Sequence, residues 1–378
     1  MTSHIKSFKS SAKLAISGGF ILAATLSGCV SSEAKDYSHL DYYHDGKFHN
    51  EKKMDEVSFT KFFRGGWAIL FDSDPEAEPD VEIPVTMMTK EGLEYDIESE
   101  NLVLYRLGHS TILMALEGRF WLFDPVFSER VSPYQWIGPK RFHQPPIDIK
   151  SLPPLDGVII SHNHFDHLDE ASIRELADKT AHFYLPLGNA GFLKGWDVPE
   201  GKITELGWWS VASNAGTEII STPAQHFSGR SLTDRNEALW SSWVVRTENH
   251  SVFFNGDSGY FSGFKQIGDK YGPFDITMME NGAYNLLWPD VHMRPKETVM
   301  AHLDLKGQVM LPIHNSTFSL STHSWKDPLT KIRMYSEEMG VELATPVIGE
   351  RVVINKGQAL KGKYNNSWWD KILDLANN

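Results

Sequence analysis

From Leu102 onward, short apolar runs recur between polar turns: "LVLYRL", "TILMAL", "RFWLF", "GVIIS", "HFYLP", "EIISTP", "SSWVVR", "SVFFNG", "DITMM", "QVMLPI" and "RVVIN". Each is rich in β-branched and aromatic side chains, the composition of strands, and Glu117-Gly118 between the second and third reads as a hairpin turn. Helical spacing runs through Leu168 to Lys179, where Asp169 can cap, and through Arg294 to Leu305, where Pro295 suits a first turn. Trp368 and Trp369 are expected to dock a final helix. Hairpins in the first half and strand-helix units later predict an α/β protein, a layered sandwich with two sheets inside and helices outside. There is no internal repeat and no low-complexity tract.

The N-terminal part follows a different pattern. Lys6, Lys9 and Lys13 precede an apolar run from Leu14 to Leu26, the length of a signal-peptide core and too short to span a bilayer. The run closes on Leu26-Ser27-Gly28-Cys29, which resembles the bacterial lipobox. Residues 1–28 are therefore expected to be a lipoprotein signal peptide and Cys29 the lipidated residue. Val30, where an aspartate would favour inner-membrane retention, directs the expectation to the outer membrane of a Gram-negative bacterium. Residues 29–80 are polar and irregular around one apolar stretch, "FTKFFRGGWAIL", and read as a tether and lead-in. Residues 81–378 then form a single domain.

Composition narrows the picture. The chain has 36 Lys and Arg against 49 Asp and Glu, a formal charge of −13, which argues against a nucleic-acid partner. Removing residues 1–28 takes away three lysines and no acid. The charge thus argues against attraction to anionic lipid as the anchor, and acyl chains on Cys29 are expected to supply it. Cys29 is the single cysteine, so neither a disulfide framework nor a thiolate metal site can form within the chain.

The candidate chemistry lies in "ISHNHFDHLDE". His162, His164, Asp166 and His167 follow the strand "VIIS" directly, at the carboxyl end where α/β sheets usually place reactive groups. Alternation lets 162 and 164 face one metal while 166 and 167, at the turn into a helix, face a second. Without thiols, zinc takes histidine and carboxylate, and a catalytic dinuclear site needs several such loop ends to converge. His226 after "STPAQ", Asp257 after "VFFNG" and His314 after "VMLPI" share that strand-end context.

This order of ligands resembles that of the metallo-β-lactamase superfamily. "GPKRFHQPPIDIKSLPPLDGVIISHNHFDHLD", "ELGWW", "TPAQHFSGRSLTDRNEALWSSW", "NGDSGY" and "GPFD" resemble the branch containing N-acyl-phosphatidylethanolamine-hydrolysing phospholipase D, over roughly Tyr42 to Val353. The resemblance implies a four-layer αββα sandwich and two zinc ions: His162, His164 and His226 on one, Asp166, His167 and His314 on the other, Asp257 bridging, with a shared hydroxide. Manganese or iron would also suit an all-His/Asp set. The implied reaction cleaves a phosphodiester on the head-group side of the phosphate, releasing a phosphatidic acid and an N-acylethanolamine.

Supporting roles follow from the same resemblance. Asp124 in "WLFDP" is either an outer-shell orienter of a ligand histidine or a turn residue. His109 in "LGHST" is a second-shell or a core histidine. His292 in "WPDVHMRP" either donates a hydrogen bond to substrate or leaving group or lies on the surface. Tyr284 is a pocket or a packing residue. The branch commonly continues Trp-Gly after the last ligand. Here Asn315-Ser316 follow His314, which bears on the pocket's shape and the substrate. A lactonase or other cyclic-ester hydrolase, and a zinc-binding envelope lipoprotein without turnover, are the alternatives.

Overall fold

The computed structural model describes residues 36–54, 72–98, 102–355 and 358–376. The expected signal peptide, Cys29 and "FTKFFRGGWAIL" lie outside them. A small hairpin, β1 (Tyr43–His44) and β2 (Lys47–Phe48), opens the described chain. Asp45 and Gly46 between them have φ of 55° and 73°, the left-handed pair that suits a tight hairpin.

The first large sheet contains β3 (Leu102–Gly108), β4 (Thr111–Leu116), β5 (Arg119–Phe123), β6 (Gly157–Ile159), β7 (Phe183–Pro186) and β8 (Ile203–Leu206). The second contains β9 (Val211–Asn214), β10 (Thr217–Thr222), β11 (Ser242–Arg246), β12 (Ser251–Phe254), β13 (Phe274–Glu280), β14 (Gly307–Ile313) and β15 (Glu342–Leu343). The last strand, β16 (Arg351–Ile354), returns to pair with β3, so the orders are β16-β3-β4-β5-β6-β7-β8 and β15-β14-β13-β12-β11-β10-β9. Hairpins are not confined to the first half, as the sequence suggested. Each sheet is antiparallel on one side and parallel on the other, β16-β3-β4-β5 and β9-β10-β11-β12 being antiparallel and β5-β6-β7-β8 and β12-β13-β14-β15 parallel. Strand-helix-strand connections occur in both sheets without any repeat in sequence.

Period-two alternation sorts the core into layers. Leu102, Leu104, Ile112, Met114, Trp121 and Phe123 face Trp243, Phe254, Ile276, Met278 and Leu311 between the sheets. Their neighbours Val103, Leu113, Phe120, Leu122, Val158 and Ile160 turn outward onto α1 (Lys90–Ile97), α2 (Glu170–Leu176) and α3 (Ala190–Gly195). On the far side Val244, Phe253, Met279 and Met310 pack on α4 (Gly263–Tyr271), α5 (Pro295–Asp304) and α6 (Asp327–Met339). The result is the four-layer αββα sandwich.

Two local expectations need correction. The helix expected over Leu168 to Lys179 spans only Glu170–Leu176. Asp169 sits at its N-cap position, but the carboxylate accepts from Ser128 N, Ser128 Oγ and Ser172 Oγ instead of capping the helix backbone. The acid ties the loop after β5 to the helix, and that bond replaces the cap. By contrast α5 starts at Pro295, with Glu297 accepting from Arg294 N at 2.9 Å. The final helix, α7 (Trp368–Ala376), docks through Trp368 and Trp369 onto Trp325, Leu329 and Ile348.

The lead-in is no free tether where it is described. The described residues from 36 onward fall in one compact unit. Tyr37, Leu40, Tyr42 and Tyr43 gather round Phe48 with Trp208, Leu239 and Trp240. Further on, Asp74 N donates to Thr322 O and Trp325 N to Glu76 O. Those aromatic side chains bury more apolar area on the domain than they would in solvent, about 1.5–3 kcal/mol for a fully buried large one. No helix among the described residues is long and apolar enough to cross a membrane.

Candidate metal centre

In the first sheet β3, β5 and β6 run the same way, since β4 is antiparallel to both β3 and β5 while β6 is parallel to β5. In the second, β10, β12, β13 and β14 likewise share a direction. Their carboxyl ends carry His109, Asp124 and the 161–167 loop on one side, and His226, Asp257, Glu280 and His314 on the other.

Those ends converge. His162, His164, His226 and Asp257 offer ligand atoms within 4.8 Å of one another, and so do His109, Asp166, His167 and His314. In the first group His164 Nδ1 lies 2.8 Å from His162 Nε2 and 3.3 Å from His226 Nε2. Asp257 Oδ2 is 3.8 Å from both of those Nε2 atoms. The same oxygen lies 3.2 Å from His167 Nε2 and 3.1 Å from His314 Nε2, so Asp257 stands between the groups. Asp166 Oδ2 is 3.4 Å from His167 Nε2 and 3.2 Å from His314 Nε2. His109 Nε2 stands 3.1 Å from that oxygen, as near as His314. The residue read as second-shell or core thus borders the centre.

Neighbouring groups set which nitrogens face inward. Asp124 accepts from His167 Nδ1 at 2.6 Å and is itself held by Ser161 N and Ser161 Oγ at 2.7 and 2.6 Å. His226 Nδ1 lies 3.0 Å from the Val291 carbonyl, which can only accept. Both rings therefore carry their proton on Nδ1 and turn Nε2 to the centre, the usual arrangement behind a metal-binding imidazole. Two glycines permit the close approach. A Cβ at Gly256, whose φ is 58°, would lie 2.4 Å from Ser161 Cβ, and one at Gly282 would lie 1.9 Å from the His314 carbonyl oxygen.

The chain's own chemistry fits divalent cations at both groups. His167 Nε2 and Asp257 Oδ1 are buried with no hydrogen-bond partner, an expense a protein rarely tolerates unless something else meets those atoms. Burial and then the other imidazoles push His162 well below the ordinary histidine value, and burial lowers His164 to about 4. Burial opposes charge on His314 too, but Asp257 and Asp166 outweigh it and hold the ring at about 10, and His167 is raised in the same way. Asp257 and Asp166 are correspondingly held well below the carboxylate range, burial being overcome by these histidines.

Of the two expected pocket residues, Asn315 lines the cleft beside His109 and His314 and Tyr284 does not, and both side chains are tied by hydrogen bonds. Tyr284 donates its hydroxyl to Asp327 at 2.5 Å and stacks on His323. The Asn315 carboxamide accepts from Arg106 Nη2 at 2.9 Å and donates to Ile313 O at 2.9 Å, while Arg106 also bonds to the Asn315 carbonyl. His292 does border the centre, with a ring nitrogen within 4.8 Å of ligand atoms of Asp257 and His314.

Three contributors escaped the sequence reading. Asn50, in the expected tether, accepts from His226 N at 3.0 Å and donates to His226 O at 2.7 Å, and nothing local in the sequence signals that. Arg230 donates to the carbonyls of Asn163 and Leu168, fixing both ends of the 163–168 loop. Glu280 bonds to His292, and its position at the end of an apolar strand is the same signal that singled out Asp257.

Comparison with known proteins agrees with this centre. A family model of the beta-lactamase superfamily domain matches residues 119–315, just over half of the chain. The chain is 35% identical over 272 residues to N-acyl-phosphatidylethanolamine-hydrolyzing phospholipase D 1 of Caenorhabditis elegans, covering 67% of this chain and 74% of that one. It is 48% identical over 92 residues to outer membrane protein RomA of Klebsiella pneumoniae, 24% of this chain and 69% of that one. A solved metallo hydrolase from the archaeon Ignicoccus hospitalis shares the fold, with a TM-score of 0.54 at 19% identity over 68% of this chain and 99% of that one. The extent of the superfamily match, on a fold of this layering, means that the chain belongs to the metallo-β-lactamase superfamily and to its hydrolases.

Proposed function

We propose that this hydrolase is a phosphodiesterase of phospholipase D type, acting on N-acyl phosphatidylethanolamine or a related lipid. The observation that carries the proposal is the pair of ligand groups sharing Asp257, in a chain similar to a phospholipase of that specificity. His162, His164 and His226 would hold one cation, Asp166, His167 and His314 the other, with Asp257 between them. Zinc is the proposed ion, manganese and iron being compatible with the same donors. Two such ions lower the pKa of water and stabilise the attacking and leaving oxygens of a displacement at phosphorus.

The chain's residues prepare that chemistry. Asp124 and the Val291 carbonyl hold His167 and His226 with Nε2 inward, and Asp257 keeps both groups in register. His292, with a ring nitrogen within 4.8 Å of ligand atoms of Asp257 and His314, is placed to accept a hydrogen bond from a water or hydroxyl that meets the substrate. Lipidation of Cys29 at the outer membrane would confine the enzyme to a lipid surface, a reading supported by the lipobox-like sequence and the similarity to RomA.

A cyclic ester or lactone is the second reading. The same donor set, with a cleft beside His109 and His314 that mixes Ser316, Ser319 and Ser321 with Phe142, Phe318 and Trp325, is equally compatible with attack at an acyl carbon. The test is to purify the chain beginning after Cys29, count metal per chain, and assay N-acyl phosphatidylethanolamine, simple phosphodiesters and lactones, with Asp257→Ala as control. Two ions and diesterase activity lost in the variant would support the first reading. Lactone turnover alone would support the second, and metal without turnover would defeat both. For the anchor, Cys29→Ser is expected to release the protein from the membrane fraction, and its retention there refutes lipidation as the tether.

A further inference from the structure

One buried carboxylate outside the expected ligand set is joined to the centre. Glu280 ends β13, all seven residues of which are buried, and its side chain is fully enclosed. A carboxylate so placed costs several kcal/mol in desolvation unless its oxygens find donors. Both do. Oε1 lies 3.0 Å from His292 Nδ1, and Oε2 accepts the Met293 backbone N–H at 3.0 Å. Thr298 Oγ1, from α5, donates to the Glu280 carbonyl at 3.0 Å, clasping the strand end to the helix that follows His292. The His292 ring sits 5.2 Å from that of His226 and 5.3 Å from that of His314, centroid to centroid.

These bonds determine what His292 can offer. A carboxylate only accepts, so Nδ1 carries the proton in this contact. In the neutral ring Nε2 is then a bare acceptor, and the grip on residues 292 and 293 together leaves the ring little freedom to flip. We propose that Glu280 is a positioning residue: it fixes His292 in the Nδ1–H tautomer with Nε2 turned to the substrate face of the metal centre. The role rests on the hydrolytic reading above, in which His292 is the group that meets substrate and Glu280 acts through it.

The test compares Glu280→Gln, His292→Ala and the double variant in the metal-loaded full chain. Glutamine keeps the shape but cannot accept at both positions. Glu280→Gln is expected to lower kcat on the order of 10–100-fold, with KM and metal content unchanged, and to add no further loss in the His292→Ala background. Nitrogen-15 NMR at one fixed pH, with the His292 signals assigned by their absence in His292→Ala, is expected to show the Nδ1–H tautomer in the parent and a mixture in Glu280→Gln. An equal loss in both backgrounds overturns the proposal, as does an unchanged tautomer. If no phosphodiester or ester is turned over at all, the hydrolytic reading of the centre fails, and the NMR result still decides whether Glu280 sets the ring.

Discussion

The two ligand groups are built from different materials. One is three imidazoles with Asp257 at its edge, and those rings resist protons because burial and repulsion from neighbouring imidazoles act together. The other interleaves His167 and His314 between Asp166 and Asp257, so those two rings attract protons, while burial lowers His109 beside them to about 3. A cation entering the first finds neutral donors ready. A cation entering the second must displace protons held by two carboxylates. The two halves of one centre should therefore fill unequally, and in metal-stripped protein His164 and His314 should contribute to stability with opposite pH dependence.

The largest effect expected to break this comparison is Asp257→Ala. Since Asp257 is the group both halves share, it should empty both and lower activity by about a thousandfold or more, roughly 4 kcal/mol of barrier. Metal analysis and kinetics check this, and two retained ions would show that the halves are independent. Asp124→Asn should act mainly on one half, because His167 bonds to it directly whereas His162 is reached only through Ser161 Oγ. Affinity there is expected to fall about 10–100-fold while the three-imidazole half is largely spared, as a two-step titration would reveal.

Asn315→Ala probes the loop that carries His314. It removes one of the acceptors of the buried Arg106 guanidinium, at a cost of about 1–3 kcal/mol. Chemical denaturation measures it, and a change below about 0.5 kcal/mol would dismiss the contact. The pH response is the finest test. His164 is lowered to about 4, so below the ordinary histidine value the unfolded chain binds a proton that the folded one refuses, and stability declines as pH falls from about 6.5 towards 4. His314 is raised to about 10, so its contribution is complete below about 6.5 and lost as pH rises towards 10. In thermal melts of metal-stripped protein, His164→Gln should flatten the acid side and His314→Gln the alkaline side. An unaltered curve in either case counts against the proposed contrast.

Legibility in the sequence followed burial. Interior strands such as β3, β13 and β14 are nearly all buried, and their unbroken apolar runs declare them. Within the two large sheets, the strands that went unseen are β8, β9 and β15, all at sheet edges, where half-exposed side chains blur the pattern. The same logic divided the centre. His162 to His167 are legible because four donors crowd one loop, and His226, Asp257 and His314 because each directly follows an apolar run. Asn50 was invisible, as its partner His226 is 176 residues away.

By itself, then, the amino-acid order determined the layers, through alternation that sends one set of side chains between the sheets and its neighbours onto the helices, and it determined the donor chemistry, since a chain with one cysteine must bind metal through imidazole and carboxylate. Only the tertiary structure decided how those donors are shared out. Asp257 stands between two groups, His109 borders one of them, Asn315 turns to Arg106 and Glu280 grips His292 because the carboxyl ends of two separately formed sheets are brought face to face. The core side chains between those sheets set that distance, and no local pattern in the chain records it.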